Sequence, residues 1–284
     1  MSAQGLPVSP DARDVRGPSA FGGGWRRFAD LTWMIGATNY KLTYFGSALG
    51  YLWSLVRPLL LFGVLYVVFS QIVKFGEGIR DYPMMLLLNI VLFTFFQEAT
   101  SRSVMSVVDN EGLVRKMHFP RMVIPLSVVL TAAMNLVLSM LAVFVFLLAY
   151  GIPVRASWLG LVLIVAALVV FTAAVAMILS SLYVRFRDVA PIWAVLSTVL
   201  FYGTPVIYAV DVVPPGWEHA VLANPVAMLL EQARHWVVDP TAPPAISAIG
   251  GWPWALLPLF VFLGVCALGL WVFNHEAPRI AERL

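Results

Sequence analysis

Charged side chains standing inside otherwise apolar sequence are the residues of this chain best placed to do chemistry, and they fall in a few places. Glu98 and Arg102 are four apart with the acid first, the order in which an ion pair on one helical face is favourable. Inside a membrane such a pair is either a structural pin or part of a polar pathway. Arg57, followed by Pro58, lies about two turns into another apolar run, close enough for a long side chain to snorkel to the surface. The stretch Val108-Asp-Asn-Glu-Gly-Leu-Val-Arg-Lys-Met-His-Phe-Pro-Arg121 is a polar hinge between two long apolar segments. Asp109 or Asn110 can cap a helix there, Glu111 sits in the favourable first turn, Arg115, Lys116 and His118 sit in the last, and Pro120 ends it. A short capped helix of this kind is either a surface on which another protein docks or an ordinary interhelical loop.

Aromatic residues carry the remaining signal. Tyr51 and Trp53 flank the start of the first apolar run, Phe93, Phe95 and Phe96 cluster in the second, and Trp193, Phe201, Tyr202 and Tyr208 mark the fifth. Such rings form interfacial belts and packing in membrane proteins, or they line a conduit where flat faces stack on sugars and tyrosine hydroxyls bond sugar hydroxyls. Tyr202 and Tyr208 are the strongest conduit residues, because Gly203 and Pro205 between them break the helix.

Several chemistries find no residues to carry them. No Gly-x-x-x-x-Gly-Lys-Ser/Thr occurs, so the chain does not cradle nucleotide phosphates in a P-loop. His118, His219, His235 and His275 are scattered without metal-ligand spacing, and the single Cys266 has no partner for a disulfide or a thiolate metal site. No Gly-x-Ser-x-Gly elbow appears. The acids Asp211, Glu218, Glu231 and Asp239 show no spacing that suggests a catalytic pair.

The elements that position these residues follow from composition. Of 284 residues 61% are hydrophobic and 12% charged, against roughly 45–50% and 25% in soluble domains, so the chain is an integral membrane protein and all-α. Six runs of about the 20 residues a span requires occur at 46–73, 82–108, 123–150, 158–183, 189–208 and 254–273. Residues 1–24, rich in proline and glycine, form a flexible tail without the apolar core of a signal peptide, and 276–284 form a second tail. From Trp25 to Tyr44 an aromatic, amphipathic helix suits the membrane interface, with Trp25, Phe28, Leu31, Thr32 and Ile35 on one face. Residues 209–253 are too polar for a span and too apolar for a loop. Within them Asn224 and Pro225 start a helix to Val238, whose stripe Val226, Leu229, Leu230, Ala233 and Val237 opposes Glu231, Gln232 and Arg234. Such a helix dips into the membrane only where protein or a watery cavity satisfies its ends. With both termini inside, fourteen of the eighteen Lys and Arg residues are cytoplasmic, and only Lys74, Arg80, Arg155 and Arg234 lie outside.

Five short motifs in order on this topology resemble the membrane subunit of ABC-2 type exporters, in particular those for cell-envelope polysaccharides such as O-antigens, teichoic acids and capsules. They are Tyr44-x-x-Ser47-x-Leu49-Gly50-x-x-Trp53 with Pro58; Leu113-Val-Arg-Lys116 with Phe119-Pro120-Arg121 and Pro125; Tyr183-x-Arg185-Phe186-Arg187-Asp188; Pro205 with Tyr208; and Asn224-Pro225. The resemblance implies a homodimer of permeases in the cytoplasmic membrane of a bacterium, with two separate ATPase chains docked below. ATP and Mg then belong to those partners, and this chain holds no cofactor and binds no nucleic acid. It further implies that the helix at 110–118 couples to the ATPase through Asn110, Glu111, Arg115, Lys116 and His118, that re-entrant helices follow the fifth span, and that the substrate is a glycan or polyol phosphate on a lipid pyrophosphate. Tyr51, Trp53, Phe93, Phe96, Tyr202 and Tyr208 are then the conduit candidates, and Lys41 and Arg57 the cationic entry for the head group. Here the chain departs from many members, which carry a basic cluster where Ala37–Tyr44 offers only Lys41. Two other classes compete: an ABC-2 permease for drugs or small lipids, which a large outer domain would favour, and a multispan glycosyl or acyl transferase, which needs a convergent acid or histidine cluster.

Overall fold

A computed structural model describes residues 24–44, 52–74, 76, 78–116 and 120–283. The expected N-terminal tail, the start of the first span with Tyr51, and His118 lie outside the described residues, as do the side chains of Arg115 and Lys116.

Every regular element among the described residues is helical. The helices are α1 (Trp25–Tyr44), α2 (Leu52–Ile72), α3 (Tyr82–Asp109), α4 (Glu111–Lys116), α5 (Val123–Tyr150), α6 (Gly160–Arg185), α7 (Val189–Gly203), α8 (Glu218–Leu222), α9 (Pro225–Ala233), α10 (Ala245–Ala248) and α11 (Trp252–Arg283). Of these, α2, α3, α5, α6 and α11 are long and apolar enough to cross a membrane. The fifth expected span is shorter than its sequence run: α7 has 15 residues, about 22 Å at 1.5 Å each, because Gly203 ends it and Thr204 turns into extended backbone ahead of Pro205. At the other end of the chain α11 runs on to Arg283, through the stretch 276–284 that the sequence leaves as a tail.

In a bilayer, apolar contact with a neighbouring helix gains little over contact with lipid, so close packing and internal hydrogen bonds hold the bundle. α3 lies at its centre, packed by α2, α5, α6 and α7, and is buried almost all round from Met84 to Phe96, which explains why its sequence shows no single apolar stripe. α1 lies along α5 through Phe28 and, at Gly36, through a backbone approach so close that an added Cβ would stand 2.9 Å from Leu130. The Thr131 hydroxyl uses that approach to donate to the Gly36 carbonyl, 3.1 Å away. α6 and α11 meet as closely at Gly269, where a Cβ would lie 2.7 Å from the Ala174 carbonyl oxygen.

The chain between α7 and α11 is bound into the bundle, not draped over it. α9 packs against α3, α6 and α11, and its cap forms as the sequence predicts: the Asn224 side chain accepts from Val226 N–H at 3.0 Å, with Pro225 first in the helix. Trp158 Nε1 donates to Val237 O (3.1 Å), Ser157 Oγ to Trp236 O (2.6 Å), Tyr82 Oη to Ile207 O (2.8 Å) and Asn89 Nδ2 to Pro205 O (3.0 Å). Side chains of α3 and of the turn before α6 thus satisfy backbone carbonyls of the chain between α7 and α11.

Candidate functional site

A polar cavity of about 190 Å³ lies between α1, α2, α3 and α5, and four helical stripes build its wall. Thr43 comes from the end of α1, and Trp53, Ser54, Arg57 and Pro58 from α2. α3 supplies Val91, Thr94, Phe95, Glu98 and Arg102, which recur every three or four residues and so share one face; Asn135 and Ser139 do the same on α5. Glu98 Oε1 and Arg102 meet at 2.9 Å, forming the pair expected from their spacing. Arg57 reaches the same cavity from the facing helix, which leaves one guanidinium in excess of the carboxylate. Two arginines, one carboxylate and several hydroxyl and amide groups can hold an oxygen-rich anion. Trp53, half exposed, offers a ring face at the cavity's edge.

Residues that the sequence analysis placed in separate roles, Trp53, Arg57, Glu98 and Arg102, are therefore brought together. Lys41 is not: it is exposed on α1 and does not line the cavity.

The short helix α4 follows α3 after a single linking residue. Asn110 stands at the junction, but its side chain turns back to donate to Ser106 O at 2.8 Å, closing α3, and only its carbonyl starts α4 by accepting from Leu113 N–H at 3.0 Å. Leu113 packs into a cluster that gathers Phe28 of α1, Val107 of α3, Val123 of α5, Met177 of α6 and Phe273 of α11. One side of α4 thus packs, through Leu113, on a cluster to which five helices contribute, and Gly112 is exposed.

Among the aromatics, Phe93 and Phe96 are 1% and 2% exposed and turn into the interior of the single chain, against Phe201 (ring centroids 5.4 Å) and Phe171 (6.2 Å). Tyr202 instead stands on the outer face of α7, 58% exposed and edge-on to Phe201. Tyr208 folds back so that its hydroxyl donates to the Gly203 carbonyl at 3.2 Å, across the break in the chain.

Sequence reasoning missed one cluster. Arg234 donates from Nη1 to Glu231 Oε1 and from Nη2 to Asp211 Oδ2, both at 2.8 Å, tying α9 to the segment just after α7. Periodicity assigned Glu231 and Arg234 to a polar face, yet they are 2% and 3% exposed. Burial pushes the Glu231 carboxyl up to about 7 against the pull of Arg234; burial also works against the guanidinium's charge, but the two carboxylates outweigh it and raise the Arg234 value. The i, i+3 spacing of Glu231 and Arg234 was readable; the third member, 23 positions away, was not.

Comparison with known proteins places these features. The family model described as ABC-2 type transporter matches residues 30–237. The O-antigen export system permease protein RfbA of Klebsiella pneumoniae is 30% identical over 258 residues, covering 90% of this chain and 95% of the relative. The protein of the same name from Myxococcus xanthus is 29% identical over 252 residues, 86% of this chain and 91% of the relative. The polysialic acid transport protein KpsM of Escherichia coli is 24% identical over 202 residues, covering 69% and 77%. With a family model spanning well over half its length, a bundle of long apolar helices and the ordered motifs of that resemblance, this chain belongs to the ABC-2 type transporter family.

Proposed function

We propose that the chain is the permease subunit of an ABC transporter that exports a lipid-linked cell-envelope polysaccharide or polyol phosphate across the cytoplasmic membrane of a bacterium. The observation that carries this reading is the polar cavity between α1, α2, α3 and α5, with Arg57 and the Glu98–Arg102 pair in its wall, in a chain similar over nine-tenths of its length to O-antigen permeases. A phosphate head group can be held at the arginines, while a hydroxylated polymer, which loses several kilocalories per desolvated hydroxyl in hydrocarbon, needs a polar or ring-lined route. The exposed Tyr202, beside the break at Gly203, supports such a route along α7.

In this reading two copies of the permease enclose the conduit, and the fifth crossing is completed by α7 together with the residues after it. Both termini are cytoplasmic. Energy comes from two copies of a separate ATPase subunit, which bind the ATP and Mg, and this chain is not an enzyme. α4 is the part they move: Asn110, Glu111, Arg115, Lys116 and His118 form the contact, and Leu113 passes the displacement into the cluster joining α1, α3, α5, α6 and α11. The segment carrying α8, α9 and α10 re-enters the membrane on the outer side.

Deleting the gene in its native host tests the assignment. The expected result is loss of surface polysaccharide with lipid-linked polymer accumulating in the inner leaflet, restored by a plasmid copy. Unchanged surface polysaccharide together with a new sensitivity to an amphipathic drug would overturn it in favour of a small-molecule permease.

A further inference from the structure

A second cavity, of about 410 Å³, lies between α7 and α11, and its walls are almost entirely apolar. Phe93, Phe96, Phe171 and Trp193 form its floor, and Val261 and Val265 of α11 one side. We propose that this cavity binds one acyl chain of a membrane phospholipid.

Water is a poor occupant, because a buried water needs two to four polar partners. The polar groups at the wall are already engaged. Trp193 Nε1 donates to Thr100 Oγ1 at 3.2 Å, and the Asn224 side chain donates to Thr204 Oγ1 at 2.9 Å and accepts from Val226 N–H at 3.0 Å. An unfilled void is equally poor, since every wall atom facing it forfeits its dispersion contacts. The volume is well over twice the roughly 150 Å³ of an apolar protein cavity that stays dry and takes up benzene.

Depth selects the ligand. Phe93 lies eleven residues into α3 and Phe171 eleven into α6, about 16 Å along each, and a hydrocarbon core is about 30 Å thick. The cavity therefore begins near the bilayer midplane and runs along one leaflet toward the C-terminal end of α6, where Ile178 and Leu179 line it, the course that an acyl chain follows. Its mouth is apolar as well: Val261 on the rim is 38% exposed, and Val199 and Leu257 on the flanking helices are 60% and 42% exposed. This inference requires only that the long helices span a bilayer, not that the cargo is a polysaccharide.

The test uses the permease with its ATPase subunit, reconstituted in phosphatidylethanolamine and phosphatidylglycerol vesicles that contain a phosphatidylcholine with a diazirine midway along one acyl chain. After irradiation, adducts are mapped by mass spectrometry. The expected result is that peptides around Phe171–Val175 and Val261–Val265 are labelled about tenfold more than the equally lipid-facing Leu141–Val145 of α5, the ratio that about 1.4 kcal/mol of preferential binding gives. Val265→Trp, which fills the space, should remove that excess and leave the α5 labelling unchanged. If this variant loses its thermal transition, Val175→Phe fills the same cavity from α6 and carries the same expectation. Equal labelling of the two regions overturns the proposal, as does an excess that both variants retain. A diazirine-bearing polyprenyl phosphate that labels the cavity and displaces the phospholipid probe also overturns it, assigning the site to an isoprenoid tail.

Discussion

Substituting Glu231→Gln should remove a defined part of the protein's pH dependence. Glu231 is 2% exposed, and burial raises its carboxyl from 4.5 to about 7 despite Arg234 at 2.8 Å. Because the folded value lies above the unfolded one, the folded state binds the proton more tightly. Stability tied to this group is therefore fully present below about pH 4.5, falls as pH rises, and levels off above about pH 7. A rise of that size corresponds to about 3 kcal/mol. Removing Arg234 should extend the loss. In Arg234→Gln the carboxyl has no guanidinium to lower it, so stability keeps falling beyond pH 7 at up to about 1.4 kcal/mol per pH unit, where the wild type is flat. The assay is thermal unfolding of the purified permease in one detergent from pH 4.5 to 9, taken as the difference between each variant and wild type so that other titrating groups cancel. A Glu231→Gln difference curve that is flat from pH 4.5 to 7 would refute the reasoning, because Glu231 would then be no harder to ionise folded than unfolded.

Other outcomes follow from the same contacts. Glu111→Lys or Arg115→Ala in α4 should leave the permease folded and the partner's ATP turnover intact while lowering glycan export by about tenfold or more, read by surface labelling; normal export by both variants would defeat the coupling role. Arg57→Ala should abolish stimulation of ATP turnover by lipid-linked glycan and leave basal turnover unchanged, which an ATPase titration with substrate measures. Gly269→Val should cost about 1–3 kcal/mol by thermal shift, since its Cβ would meet the Ala174 carbonyl at 2.7 Å and backbone cannot move aside as a side chain does. Asn224→Ala removes the α9 cap and the bond to Thr204, with an expected loss of about 1 kcal/mol in the same assay.

Much of the bundle was legible because a membrane leaves a strong imprint on sequence. Apolar runs marked α3, α5 and α6 to within a few residues and Asn224-Pro225 marked α9, whereas α11 continues to Arg283, well past its apolar run. The polar cavity was half legible: the spacing of Glu98 and Arg102 showed their shared face, but nothing local showed that Arg57 of α2 would meet them, since that depends on how two helices cross. At Asn110 the cap position was correct and its direction was not, because an amide at the joint of two helices can serve either, and α3 took it. Glu231 and Arg234 were assigned to the wrong environment for a related reason. Periodicity treats a charged residue as exposed and has no means of finding the partner, here Asp211, that allows burial.

The central step is the passage of a lipid-linked polymer across a bilayer, through this chain, when its partner hydrolyses ATP. Reconstitution with that ATPase in proteoliposomes, with lipid-linked glycan supplied on the side that receives ATP and glycan on the opposite face counted by an impermeant lectin, measures it directly. ATP-driven export predicts glycan appearing on the far face only with ATP, and its loss in Glu111→Lys while ATP hydrolysis continues. Transfer at the same rate without ATP, or ATP-driven transfer of a small amphiphile with the glycan left behind, would contradict it.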